Sequence, residues 1–313
     1  MRLLVTRPLP DPVMQAARAR FEVTARDSTL PLTRAELRAA LADHDLILPT
    51  LGDLFSADLF ASPPRARLLA NFGVGYNHID VAAARAAGVA VSNTPGAVTE
   101  ATADIALTLI LMTARRAGEG ERMLRAGQWQ GWHPTQLLGQ HVSGKTVAII
   151  GMGRIGQAIA RRCHYGFGMA VEYHARRPID PGLPATQVPF DQAMQADFVV
   201  LAVPGGAANR HLIDAAALAR MRPHGILVNI ARGDVVDEDA LIAALQQGRI
   251  AGAGLDVYAQ EPLVPQALRD LERVTLLPHL GTAALEVRIA MGLMAVDNLV
   301  AFAEGRPLPN AVT

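Results

Sequence analysis

The sequence predicts an α/β protein built on parallel sheets and divided into two domains, and three observations carry that expectation. Short β-rich runs alternate with helical patterns from the first residues onward, which is how βαβ units read. The alternation restarts at Lys145, where a strand-like run leads directly into Gly151-Met-Gly-Arg-Ile-Gly156. The chain has 313 residues, and domains of about 150 residues are common, so two fit comfortably.

The first series of strands is read at Leu3-Leu4-Val5, Phe21-Glu22-Val23, Leu46-Ile47-Leu48, Leu68-Leu69-Ala70 and Val89-Ala90-Val91. Asn93-Thr-Pro-Gly96 is a turn signal. After it, residues 99–116 form a long apolar helical stretch that crosses into the second domain. The second series begins with Thr146–Ile150 and continues near residues 170–173, 198–201, 226–228 and 253–255, closing with 274–277. Residues 283–304 carry Leu, Ile, Met and Val at helical spacing and would return the chain to the first domain. The expected organisation is therefore 1–96 with 284–313 as one discontinuous domain and 97–283 as the other.

Composition narrows the function. Half of the residues are hydrophobic and 19% are charged, which argues against wholesale disorder. Lys plus Arg and Asp plus Glu both number 29. That balance disfavours nucleic acid and anionic membrane as partners. A single cysteine, Cys163, excludes an intrachain disulfide and a multi-cysteine metal site, and no histidine pattern suggests a metal. A reducing cytosol suits such a chain. The opening Met1–Thr6 reads as a strand rather than a signal peptide, and the most apolar stretch, 105–112, is too short to span a bilayer.

The Gly-rich run has the context that dinucleotide binding needs: a strand before it and a helix, 154–163, after it. Gly151 permits the tight turn, Gly153 lets the backbone approach a pyrophosphate, and Gly156 lets helix pack on strand. The helix N-terminus, opening at Arg154 and Ile155, supplies unpaired N–H groups. An acidic residue that binds the ribose 2′-hydroxyl of NAD is expected about 20 residues later, at the tip of the second strand. His174 stands there instead, followed by Arg176 and Arg177, cations suited to a 2′-phosphate. Glu172 lies inside the strand rather than at its tip. NADPH is the favoured cofactor, with NADH as the alternative, because an imidazole can also hydrogen-bond a 2′-hydroxyl.

Three polar residues stand just beyond later strands: Arg232, Glu261 and His279. Ligands of open α/β sheets bind at such strand ends. Reducing a keto acid requires a proton donor for the nascent alkoxide and a cation for the carboxylate. Histidine, with an unperturbed pKa of about 6.5, suits the first role, and a carboxylate beside it would favour the imidazolium. Arginine suits the second. Singly, each residue also has a structural reading: a surface ion pair, a capped turn, a hydrogen-bonded histidine at a domain seam.

These motifs resemble the D-isomer-specific 2-hydroxyacid dehydrogenase family over nearly the whole chain. Besides the Gly-rich run they include Asn71-Phe-Gly-Val-Gly-Tyr-Asn-His-Ile-Asp80, Asn93–Gly96, Thr99–Asp104, Asn229–Asp234, Gly254–Tyr258 with Glu261-Pro262, and Pro278-His-Leu-Gly281. The resemblance implies a Rossmann domain, a flavodoxin-like substrate domain built from both chain ends, and a homodimer formed through the cofactor domains. It places the family's catalytic Arg, Glu and His on Arg232, Glu261 and His279. It implies that the backbone amides of Val74 and Gly75 hold the substrate carboxylate, with Leu51 lining the pocket. Thr102, Val203, Pro204, Asn209, Ile230, Ala231, Asp256 and Gly281 fall near the cofactor, with Val74, Arg232 and His279 bordering it and Asp256 facing the nicotinamide carboxamide.

Within the family, the short chain and the Arg176-Arg177 pair look most like glyoxylate and hydroxypyruvate reductases. Glu261 separates the chain from the formate dehydrogenase branch, which has a glutamine there, and no C-terminal extension of the phosphoglycerate dehydrogenase kind is read. The alternatives are a reductase of a larger keto acid, such as 2-ketogluconate or phenylpyruvate, and a non-catalytic NAD(P)-sensing protein. The intact Arg, Glu and His favour an enzyme. The segment 128–134, holding both Trp129 and Trp132, either reaches across a dimer to a neighbour's substrate pocket or anchors a surface loop.

Overall fold

The computed structural model describes residues 1–312 and divides into two compact units. One comprises Met1–Val98 with the chain from Ala283 onward; the other is Thr99–Thr282. The sequence puts these breaks after 96 and 283. The structure keeps the helix that begins at Thr99 whole within the second unit and leaves the turn before Leu285 with the last helix.

The first unit runs β1 (Arg2–Val5), α1 (Asp11–Arg18), β2 (Glu22–Ala25), α2 (Arg34–Asp43), β3 (Leu46–Leu48), β4 (Leu68–Ala70), α3 (Val81–Ala86) and β5 (Ala90–Ser92). Its five strands are all parallel in the order β2-β1-β3-β4-β5, the flavodoxin-like arrangement. Helix α2 starts where the sequence dictates. Thr33 and Glu36 form a reciprocal capping box, and Leu37, Ala40 and Leu41 repeat at helical spacing to bury one face. Leu4, Ile47, Leu69 and Val91, one from each of four strands, meet in the core on that side.

The second unit runs α4 (Thr99–Ala114), α5 (Ala117–Arg125), β6 (Thr146–Ile150), α6 (Arg154–Arg161), β7 (Ala170–His174), β8 (Thr186–Gln187), α7 (Phe190–Ala193), β9 (Phe198–Leu201), α8 (Ala215–Arg220), β10 (Ile226–Asn229), α9 (Glu238–Gln246), β11 (Gly252–Leu255), α10 (Gln266–Arg269) and β12 (Val274–Leu276). The chain then returns to the first unit in α11 (Leu285–Ala303). The seven strands are parallel in the order β12-β11-β10-β9-β6-β7-β8, a Rossmann sheet whose order reverses beside β6.

Both faces of this sheet are covered. Ala148, Ile150, Val199, Leu201, Leu227 and Leu255 point into one core, and Val147, Ile149, Phe198, Val200, Ile226 and Val228 into the other. Hence the strands read as continuous apolar runs. Helix α4 lies against β10 and β11, and Gly254 admits it: a Cβ there would stand 2.9 Å from Leu109 Cβ.

Some boundaries move. The helix expected over 99–116 stops at Ala114, Arg116 takes a left-handed φ of 52°, and α5 follows as a separate helix. The helix expected over 154–163 ends at Arg161 and passes into a π-helical turn, Arg162–Gly166, which holds Cys163. Burial pushes that thiol up to about 12. No helix among the described residues is long and apolar enough to cross a membrane.

Candidate active site

Because the sheet of the second unit is parallel throughout, every strand ends on the same edge. There the chain turns out through the loops that carry the residues singled out from sequence. The turn after β6 is fixed by its glycines. Gly151 has a φ of +103°, and a Cβ on it would lie 2.6 Å from the Ala202 carbonyl oxygen. A Cβ on Gly156 would lie 2.2 Å from the Gly151 carbonyl oxygen. Gly153 differs: it is the N-cap of α6 with no side-chain cap, and a Cβ there would meet nothing within 4 Å. The first amides of α6, beginning at Arg154 and Ile155, thus face open space at the positive end of a helix dipole, as a pyrophosphate requires.

Beside this turn is a cavity of about 730 Å³, lined by Gly151, Gly153, His174, Arg176, Arg177, Val203, Pro204 and Asn209, among others. Asn209 is fixed by its Nδ2–H donating to the Pro204 carbonyl at 2.8 Å. His174 Nδ1 lies 3.2 Å from the Val188 carbonyl oxygen, and its ring meets Phe190 edge to face at 5.6 Å. Glu172, two residues earlier, accepts from Gln192 Nε2 at 3.2 Å. The donors, the cations and the glycine cradle fit a nicotinamide dinucleotide.

Farther along the edge, His279 and Glu261 meet. Nδ1 of His279 is 2.8 Å from Oε2 of Glu261, while Oε1 accepts the Tyr258 backbone N–H at 3.1 Å. A carboxylate only accepts, so Nδ1 carries the proton and Nε2 is left outside the pair. Burial pushes the Glu261 carboxyl up, but the His279 hydrogen bond and charge, the Tyr258 amide and the Arg232 guanidinium more than reverse it and hold it below the ordinary carboxylate range. The pair remains reachable from solvent, its side chains being 29% and 30% exposed.

The turn carrying His279 is itself held. His279 has a left-handed φ of 55°, a costly conformation for a residue with a side chain. Asp256, almost fully buried, accepts from the Leu280 amide at 2.6 Å and the Gly281 amide at 2.8 Å. Thr102 Oγ1 donates to the Gly281 carbonyl at 3.0 Å. Asp256 thus anchors the turn that carries His279 through both oxygens.

Arg232 follows β10 and the buried Ile230 and Ala231. Asn229 ties off this turn, its Nδ2 donating to Arg232 O and its Oδ1 accepting from Ala231 N, both at 3.0 Å. Burial depresses the guanidinium, and Glu261 and Asp234 counteract that. Two glycines make the placement possible. A Cβ on Gly233 would come within 1.9 Å of the Tyr258 carbonyl, and one on Gly205 within 2.7 Å of Arg232 Cγ. Asp234 fastens the neighbouring loop by accepting from the Gly206 amide at 2.8 Å.

Leu51, Val74 and Gly75 lie in the first unit, at the C-terminal ends of β3 and β4. Their support went unread in the sequence. Asn71 is fully buried and donates through Nδ2 to the carbonyls of Gly73 and Gly75, each at 3.0 Å. Its Oδ1 accepts from His78 Nε2 at 3.0 Å, and Asn93 Nδ2 donates to the Val74 carbonyl at 2.9 Å. Successive carbonyls of the loop are drawn onto side-chain amides. Nearby, Arg7 donates to Thr50 Oγ1 and to the Leu51 carbonyl and pairs with the buried Asp53 at 3.6 Å. The signal was present, since Asn71 and His78 both belong to one of the motifs, but spacing does not reveal which side chains turn inward. No cluster of three or more potential metal ligands occurs among the described residues.

Comparison with known proteins gives a consistent picture. The model of the D-isomer specific 2-hydroxyacid dehydrogenase NAD-binding domain matches residues 107–281. Glyoxylate reductase of Thermococcus onnurineus is 41% identical over 99% of this chain and 95% of its own length, and that of Pyrococcus furiosus is 40% identical over the same shares. Among solved structures, a protein of Thermus thermophilus is similar with a TM-score of 0.93 and 41% identity, each chain covered completely. The NADPH-dependent glyoxylate/hydroxypyruvate reductase of Sinorhizobium meliloti, in complex with citrate, has a TM-score of 0.87 at 37% identity, covering 100% of this chain and 97% of that one.

Proposed function

This chain belongs to the D-isomer specific 2-hydroxyacid dehydrogenase family and is an NAD(P)-dependent dehydrogenase; from that premise we propose that it uses NADPH to reduce a small 2-keto acid, glyoxylate or hydroxypyruvate, to the D-2-hydroxy acid. The observation that carries this reading is the 2.8 Å pair between His279 and Glu261 at the strand edge that also bears Arg232. When bound, the reduced nicotinamide supplies the hydride. His279 delivers the proton from Nε2 to the keto oxygen, and Glu261 holds Nδ1, keeping the ring oriented and charged. Arg232 binds the carboxylate and polarises the carbonyl, and the amides of Val74 and Gly75 also hold the carboxylate.

NADPH is favoured by Arg176 and Arg177 in the cavity beside the Gly-rich turn. The Sinorhizobium meliloti relative, named as NADPH-dependent, supports the same choice. The small substrates follow the names of the archaeal relatives. We take the working form to be a homodimer, as expected from sequence. Leu124, Trp129 and Trp132 stand 61%, 51% and 80% exposed, apolar side chains of the kind a second copy covers.

His279→Ala tests the proposal: turnover of glyoxylate should fall at least about a thousandfold with dinucleotide affinity unchanged, and undiminished turnover would refute the assignment.

A further inference from the structure

Strand β12 lies at the edge of its sheet and ends at Leu276, short of His279. Its ladder to β11 closes with the Leu277 amide donating to the Leu255 carbonyl at 2.8 Å. Beyond that point the turn that carries His279 draws support from Tyr258, which follows β11. The Tyr258 hydroxyl donates to the Leu277 carbonyl at 3.0 Å, and the Leu255 carbonyl stands 3.3 Å away. An O–H has one hydrogen, and the shorter contact is the one to Leu277. The side chain is buried. Burial, with the charges of Asp256, Glu261 and Glu238, pushes the phenol well above its ordinary value, so the hydroxyl keeps its hydrogen and remains a donor. The backbone N–H of the same residue holds Glu261 Oε1 at 3.1 Å, and its carbonyl is the group against which Gly233, next to Arg232, is packed. One peptide further on, the Ala259 amide donates to Glu238 Oε1 at 3.2 Å, which ties this stretch to the first turn of α9.

We infer that Tyr258 is the positioning residue of the His279–Glu261 pair, its amide setting the carboxylate and its hydroxyl setting the peptide that leads into the histidine. This rests on the reading of His279 as the proton donor. Both bonds come from one buried residue, so the carboxylate and the ring are placed in a single frame. Asp256 holds the other side of the same turn through the Leu280 and Gly281 amides, which leaves His279 bracketed between Leu277 and Leu280. The bracket matters because His279 has a left-handed φ of 55°, a conformation that persists only where the surroundings impose it. With the Leu277 side released, the ring is free to turn against Glu261, and proton delivery falls steeply with small displacements. Tyr258 acts only through the pair. Its hydroxyl supports neither Arg232 nor the amides of Val74 and Gly75, so the affinity for the keto acid does not depend on it.

Tyr258→Phe removes the hydroxyl and keeps the ring and the amide. In steady-state reduction of glyoxylate with NADPH, kcat should fall about tenfold while KM changes by less than about twofold. In a Glu261→Gln background, where the pair is already disrupted, the same substitution should lower kcat by less than about twofold. A merely structural role would give equal losses in the two backgrounds. Ile250→Val, a buried truncation before the opposite end of β11, destabilises by a similar amount and should leave kcat within about twofold of the wild type. A second readout needs no turnover: the ring nitrogen signals of His279 in protein carrying isotope-labelled histidine, detected through the carbon-bound ring protons and assigned by their loss in His279→Gln. Above the imidazole titration the wild type should show the hydrogen fixed on Nδ1, and Tyr258→Phe should shift toward a mixture of the two tautomers. An unchanged kcat, equal losses in the two backgrounds, or identical nitrogen signals in wild type and variant overturns the inference. If the wild type reduces no keto acid, the reading of the site fails, and the nitrogen signals alone decide whether Tyr258 sets the pair.

Discussion

His279 and Glu261 are joined by a hydrogen bond of 2.8 Å, and the second oxygen of Glu261 is pinned by the Tyr258 amide, so the carboxylate cannot swing away from the ring. Glu261→Gln keeps an acceptor and removes the charge. The ring then loses its charged partner, and kcat for keto-acid reduction should fall roughly tenfold to a hundredfold. The acid side has its own sign. The folded-state pKa of Glu261 lies below its ordinary value of about 4.3. The pair therefore contributes its full stability above that ordinary value and loses it as pH falls through the lower folded one. Melting temperatures taken from about pH 5 to about pH 3 should drop more steeply for the wild type than for Glu261→Gln; parallel curves would show that the pair contributes nothing.

The loop Gly73–Gly75 should depend on Asn71 through its two donors. Asn71→Asp turns an oxygen toward two carbonyls and leaves them without partners. The KM for the keto acid should rise roughly tenfold, in line with a lost buried hydrogen bond. His78→Gln retains an N–H donor for Asn71 Oδ1 and should lose less than His78→Leu. Equal loss of kcat and KM performance in all three variants would mark Asn71 as merely structural.

Gly233→Ala places a methyl group where the Tyr258 carbonyl already stands. The β10 and β11 loops must part, separating Arg232 from the Glu261 turn. Thermal unfolding should show a loss of about 2 kcal/mol or more, typical of an overpacked contact, together with a slower reduction rate. A variant of native stability would mean that the two loops are freer to move than their packing implies.

Much of this architecture was legible because its physics is local. Runs such as Thr146–Ile150 and Phe198–Leu201 are buried on both sheet faces and so read as unbroken apolar strands. β8 was not legible: Thr186–Gln187 is a two-residue exposed edge strand with no apolar run to announce it. The single long helix expected over 99–116 splits at Arg116 because one residue adopts a left-handed backbone, and composition carries no sign of that. Arg232, Glu261 and His279 were identifiable as types, yet their meeting depends on β10, β11 and β12 lying side by side in register. Likewise the support given by Asn71, His78 and Asp256 comes from inward-facing hydrogen bonds that only the folded loops reveal.

The most direct test of the central claim is a panel of initial rates: NADPH and NADH oxidation with glyoxylate, hydroxypyruvate, 2-ketogluconate and phenylpyruvate. The account predicts rapid turnover of glyoxylate or hydroxypyruvate with NADPH, slower turnover with NADH, and little with the two larger acids. Turnover confined to the larger acids would reassign the substrate. No turnover of any of them, with dinucleotide still bound, would contradict the enzymatic reading and leave a dinucleotide-sensing protein in its place.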